Sequence, residues 1–269
     1  MRRRPCKAYG RTYSISHMMT AAVVKKQISE LGGAFMLSRE VKEFGSAIGV
    51  SGFHGPYTRG RGGVLGEVDA DVVAAGFGFF APERVRSAWE STPIAAAEAA
   101  QAYSAACQDF GRRKLASFEA ADRLAELLER VAAAASPAGL SLFAGWRAMP
   151  LPADGLGRAT LLLHVVRELR GGLHFLAVTA CGLTPLEAIL VSGSPMLDGG
   201  DQARLLGWPE PFATPTPEQR ERWEAAEALT DKLIQPCFEV LDESEQQELG
   251  ALLTDAHRAA FTRESSARR

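Results

Sequence analysis

The chain has 269 residues, 46% of them hydrophobic, with 30 basic against 32 acidic side chains and a formal net charge of −2. That length is enough to bury a sizeable core, and the balanced charge argues against general affinity for nucleic acid or anionic lipid. Cys6, Cys107, Cys181 and Cys237 form no CxxC and no Cys/His zinc spacing, which fits reduced thiols in a cytoplasmic protein and no metal.

Residues 1–16 open on Arg2-Arg3-Arg4 with no apolar stretch behind them, so they read as a flexible tail. No run has the roughly 18 uninterrupted apolar residues of a membrane span. Val23, Val24, Ile28 and Leu31 recur at helical spacing, and Ser38 is placed to cap a second helix through Val41, Phe44 and Ile48. Residues 49–66 read as a glycine-rich loop. Helices are expected again over 69–79 and over 82–89, the latter with proline at its first position. Thr92-Pro93 should open an alanine-rich helix to about Cys107. Over 118–135, Leu124, Leu127, Leu128 and Val131 fall on one stripe.

Residues 136–156 carry three prolines and three glycines and read as a loop. They divide an N-terminal helical domain, 17–136, from a C-terminal one, 137–262, with 263–269 a second tail. Over 159–187, His164, Arg167, Glu168, Arg170 and His174 sit among leucines and valines. Gly171-Gly172 interrupts that run, and Thr184-Pro185-Leu186-Glu187 signals a new start. Residues 192–217 allow at most a short helix near 202–206. Thr216-Pro217-Glu218-Gln219 is a capping box that opens a long helix, which Pro236 kinks or ends, and 244–261 forms the last helix. No strand pair is visible. The expected fold class is all-α or nearly so, a helical bundle of two halves.

Four runs also occur in a set order: Gly52 to Gly66 (GFHGPYTRGRGGVLG), Phe79-Phe80-Ala81-Pro82, Glu168-Leu169-Arg170-Gly171-Gly172-Leu173-His174, and Thr230-Asp231-Lys232-Leu233. In that order the chain resembles, over roughly residues 20–250, actinobacterial proteins labelled only as helix-turn-helix proteins. Some of these are encoded near natural-product clusters. Their C-terminal halves look like the winged helix of the MarR regulators, so the resemblance implies a degenerate scaffold of that kind here. Tyr57, Arg61, Glu168, Arg170 and His174 stand at matching positions. Leu169 and Gly172 replace the family's His and Asp. The family places a recognition helix and wing after a Gly-Trp pair. Here about ten residues follow Gly207-Trp208 before the terminal helices begin. A helix reaching base edges needs about that many residues by itself, so the DNA-reading part is expected to be missing.

Two stretches carry candidate chemistry. In the 52–66 run, Arg59 and Arg61 alternate with glycines near His54 and Tyr57. Glycines let backbone approach a ligand, and an arginine fork suits an anion; the competing reading is a solvated loop. In the 159–187 run, His164 and Glu168 are i, i+4 neighbours, as are Arg170 and His174 if the helix continues. The competing reading is an Arg–Glu–His network that fixes how helices meet. The expected site has Glu168, His174 and His54 as catalytic residues and Arg59, Arg61, Tyr57, Arg170 and Trp146 as substrate-binding residues, with no cofactor. The leading expectation is a cofactor-independent enzyme of natural-product biosynthesis. It would displace or eliminate an anionic leaving group with acid–base assistance, as in closing an aziridine. One alternative is a MarR-like ligand-responsive transcriptional regulator, which implies a dimer. Another is a non-catalytic partner of a biosynthetic enzyme. The expected partners are a small molecule with an anionic group and a pathway enzyme, with neither membrane nor nucleic acid.

Overall fold

Capping chemistry sets most of the helix starts. The computed structural model describes residues 20–194 and 196–262, and both tails read from the sequence lie outside the described residues. Ser38 accepts from the Val41 N–H and opens α2 (Arg39–Ala47), which follows α1 (Thr20–Ala34). Then come α3 (His54–Gly62), α4 (Ala70–Phe77), α5 (Pro82–Ser91), α6 (Ala96–Lys114), α7 (Ala121–Ala134) and α8 (Ser141–Arg147). They lead to α9 (Gly155–Ala180), α10 (Pro185–Ser192), α11 (Gly199–Leu205), α12 (Pro217–Phe238) and α13 (Glu243–Phe261). Reciprocal capping boxes at Thr184, Thr216 and Asp242 start α10, α12 and α13. No strand occurs among the described residues, so the fold is all-α.

The longest helix, α9, is the axis of the molecule and packs against α1, α6, α7, α8 and α12. From Ala159 to Val166 all of its residues are buried, as expected of a helix with apolar residues on every face. One apolar core draws on residues from Ala21 in α1 to Ala260 in α13. No single helix among the described residues is long and apolar enough to cross a membrane.

Four local expectations change. Residues 136–156 contain α8. Thr92 does not open α6; its hydroxyl donates to the Ala88 carbonyl at 2.7 Å at the end of α5, and α6 begins at Ala96. Gly171-Gly172 does not interrupt α9, because the buried turns on both sides carry the helix through. The run 52–66 is not a loop but α3 and a following 3-10 turn, Gly63–Leu65. Its glycines allow close helix packing. A Cβ at Gly60 would lie 2.4 Å from the Tyr103 ring, and one at Gly63 would lie 2.2 Å from the Ala96 carbonyl oxygen. These are contacts that any larger side chain would break.

α9 and α10 meet at 107° across the four residues 181–184, with Gly182 at φ 75°. That is the geometry of a helix-turn-helix. α11 packs on α10 so closely that a Cβ at Gly199 would lie 2.1 Å from the Leu190 carbonyl oxygen. Residues 209–216 are non-helical, so nothing in the described chain occupies the place of a separate recognition helix between α11 and α12.

Candidate functional site

A cavity of about 890 Å³ lies between α3, α4, α9, α10 and α11. Phe53, Tyr57, Phe77, Phe79, Phe80 and Phe143 give it an aromatic wall, and Arg61, Arg167, Glu168, Arg170 and His174 give it polar groups. It opens beside Gly171, where a Cβ would meet nothing within 4 Å. Its size and mixed lining are those of a small-molecule site.

Arg61 and Glu168 are 107 positions apart in sequence and form a forked pair, with Nε to Oε1 at 2.9 Å and Nη2 to Oε2 at 2.8 Å. Arg167 adds a third bond, Nη1 to Oε1 at 3.1 Å. The Glu168 side chain is 2% exposed and that of Arg61 11%. Burial alone would raise the carboxylate's pKa, but Arg61 overrides it and holds Glu168 at about 2. The Arg61 guanidinium also lies 4.6 Å from the Phe77 ring centroid.

A second network joins α9 to α12 and α1. Arg170 donates to Glu227 at 2.9 Å, and Lys25 donates to Glu227 at 3.3 Å and to Asp231 at 2.9 Å. The Thr230 hydroxyl donates to the Ala226 carbonyl, so its oxygen accepts from His174 Nδ1 at 2.9 Å. That assigns the His174 proton to Nδ1. Desolvation lowers the pKa of His174 despite the neighbouring Glu227. Arg170 and His174 therefore pair with α12 rather than with each other.

His164 lies behind Glu168, fully buried, with Phe35 and Trp146 edge-on to its ring. Its polar neighbours are the Gly32 backbone and Glu168, whose Oε1 is 3.9 Å from Nδ1. Desolvation holds its pKa at about 3, against an ordinary 6.5. A folded value below the unfolded one means that the unfolded chain takes up the proton first as pH falls. Stability present above about 6.5 is then lost between 6.5 and 3. Between pH 6.5 and 5 this group is expected to account for about 2 kcal/mol of lost stability. His164→Gln should lose that much less over the same interval in urea denaturation. Equal pH slopes for the two proteins would contradict the assignment.

The expected site residues separate. Tyr57, Arg61, Glu168, Arg170 and His174 line one cavity. Arg59 does not. It leaves the opposite side of α3, pairs with Glu67 at 2.8 Å, donates to the Ile94 carbonyl at 2.7 Å and lies 4.0 Å from the Trp89 ring centroid. The two arginines therefore do not form one anion clamp, because positions i and i+2 of a helix face different ways. Trp146 is fully buried in the core, with its indole N–H donating to the Arg61 carbonyl at 3.1 Å. His54 packs on Phe53 and Phe80 outside the cavity lining, and desolvation lowers its pKa. Arg167 and Glu227 were missed as site residues. Arg167 stood in the expected polar run, but nothing in sequence marks Glu227 as the partner of Arg170.

The model of a family described as the helix-turn-helix family matches residues 21–266. The chain belongs to the helix-turn-helix family. None of the curated proteins and none of the solved structures matches it. Membership overturns the expectation of a cofactor-independent displacement enzyme, since the match runs through both stretches on which that expectation rested. The chemistry of this helix-turn-helix protein agrees. Glu168 is locked as a carboxylate between arginines and has no basicity to offer at neutral pH. Of the two readings of the central run, the network that fixes helix packing is the one its geometry supports.

Proposed function

We propose that the protein is a cytoplasmic, MarR-like, ligand-responsive transcriptional regulator. The observation that supports this reading best is that α10, the second helix of the helix-turn-helix, is itself a wall of the cavity together with α11, which packs on it. Ala188, Ile189 and Ser192 of α10 and Gln202 and Leu205 of α11 all line it. A bound molecule therefore touches the unit whose position would govern duplex contact. In the conformation described, only Ser192 of the α10 residues is exposed. Duplex binding then requires the α10–α11 unit to shift outward, and ligand occupancy biases that equilibrium by its differential contact with the two positions. Exposed Arg204, Arg220 and Arg222 on α11 and α12 would supply phosphate contacts.

Fluorescence anisotropy with a labelled duplex from the region upstream of the gene tests this. Binding is expected to exceed that of a scrambled duplex. With three phosphate contacts, it should weaken roughly 40-fold between about 50 and 200 mM salt. Replacing Arg204, Arg220 and Arg222 together with alanine should remove most of that salt dependence. Equal, salt-insensitive binding of both duplexes would overturn the reading.

A further inference from the structure

The charges around the cavity are not evenly compensated. On the α12 side, Lys25 and Arg170 face Glu227 and Asp231, two cations against two carboxylates. On the α3 side, two guanidiniums share one carboxylate. Arg61 takes both oxygens of Glu168, and Arg167 reaches only Oε1, which already accepts from Arg61. Arg167 has no carboxylate of its own among the described residues. Its side chain is 30% exposed, whereas Glu168 is almost fully buried, so its remaining N–H groups are accessible from the cavity that it lines. Gly33 keeps room for it, since a Cβ there would lie 3.0 Å from Arg167 Nε. An uncompensated guanidinium beside a low-dielectric aromatic wall favours an anion strongly.

The lining also carries exposed apolar side chains. Leu37, Val72, Leu176, Met196 and Leu205 are large apolar side chains that are exposed and also belong to its lining, so they stand where it opens to solvent. Exposed apolar side chains in a cavity lining favour an apolar portion of whatever binds there.

We propose that the ligand is an amphipathic monoanion, with its anionic group on Arg167 and its apolar body along Phe77, Phe79 and Phe80 and the exposed apolar side chains of the lining. This rests on the cavity being a ligand site, as argued above, but not on duplex binding. A matched pair of fluorescent probes tests it directly. 8-Anilinonaphthalene-1-sulfonate and N-phenyl-1-naphthylamine share one aromatic body and differ by the sulfonate. The sulfonate is expected to bind about tenfold more tightly, a difference of about 1.4 kcal/mol. Arg167→Met should erase that preference while leaving the neutral probe within about twofold, and Arg167→Lys should retain part of it. Gly171→Leu, which fills open cavity space, should exclude both probes. Equal affinity of the two probes for the wild type, or an Arg167→Met variant that keeps the preference, overturns the assignment. If both probes bind equally and Gly171→Leu excludes both, the cavity remains a ligand site and only the anion preference falls. Unchanged binding of both probes to Gly171→Leu places them elsewhere and overturns both claims.

Discussion

Glu168→Gln is expected to destabilise the protein by about 3–5 kcal/mol, a large part of the roughly 5–15 kcal/mol that holds a typical domain together. The cause is the charge that the change leaves behind. Arg61 stays buried, and Arg167 beside it loses the same partner. A glutamine can accept from one guanidinium, but its amide N–H₂ then faces other donors. Replacing both members, as in Arg61→Met with Glu168→Leu, removes the desolvated charges together and should recover most of the loss. Urea denaturation of the single and double variants gives the coupling energy. A single variant within about 1 kcal/mol of wild type would show that the pair does not hold α3 against α9.

The second large effect is expected at Gly63. Its missing side chain lets the turn after α3 lie against the first turn of α6. A Cβ there would sit 2.2 Å from the Ala96 carbonyl oxygen and 3.0 Å from the Ala100 nitrogen. Both are backbone atoms and cannot rotate away, so Gly63→Ala must separate the two elements and should cost about 1–3 kcal/mol or more. Gly250→Ala on α13 is the control. A Cβ there meets nothing within 4 Å, and alanine should stabilise that helix by up to about 1 kcal/mol. Equal effects at the two positions would remove the packing account of the glycines in residues 52–63.

Those glycines also show where sequence reasoning stops. Caps depend on neighbours in sequence, so Ser38, Thr184 and Thr216 were legible as helix starts, and the all-α class followed from helical spacing. Gly60, Gly62 and Gly63 carry the same local signal whether they free a loop or admit Tyr103, Val73 and Ala96 from other helices. Only the tertiary partner distinguishes the two. The same holds within the site. Glu168 was visible as a polar group in an apolar run, but whether it acts as a base or as a fixed counter-ion depends on Arg61, 107 residues away. Arg59 and Arg61 looked equivalent until helix geometry sent one to Glu67 and the other to Glu168.

The central claim is that occupancy of the cavity sets the position of α10 and α11 and hence duplex binding. Gly171→Leu places a permanent occupant there without touching either helix end. The most direct measurement is the duplex dissociation constant of this variant beside wild type, at one salt concentration and with melting curves confirming equal stability. The account predicts a change of at least about fivefold, the low end of ordinary allosteric coupling. Identical duplex affinities in two equally stable proteins would contradict it.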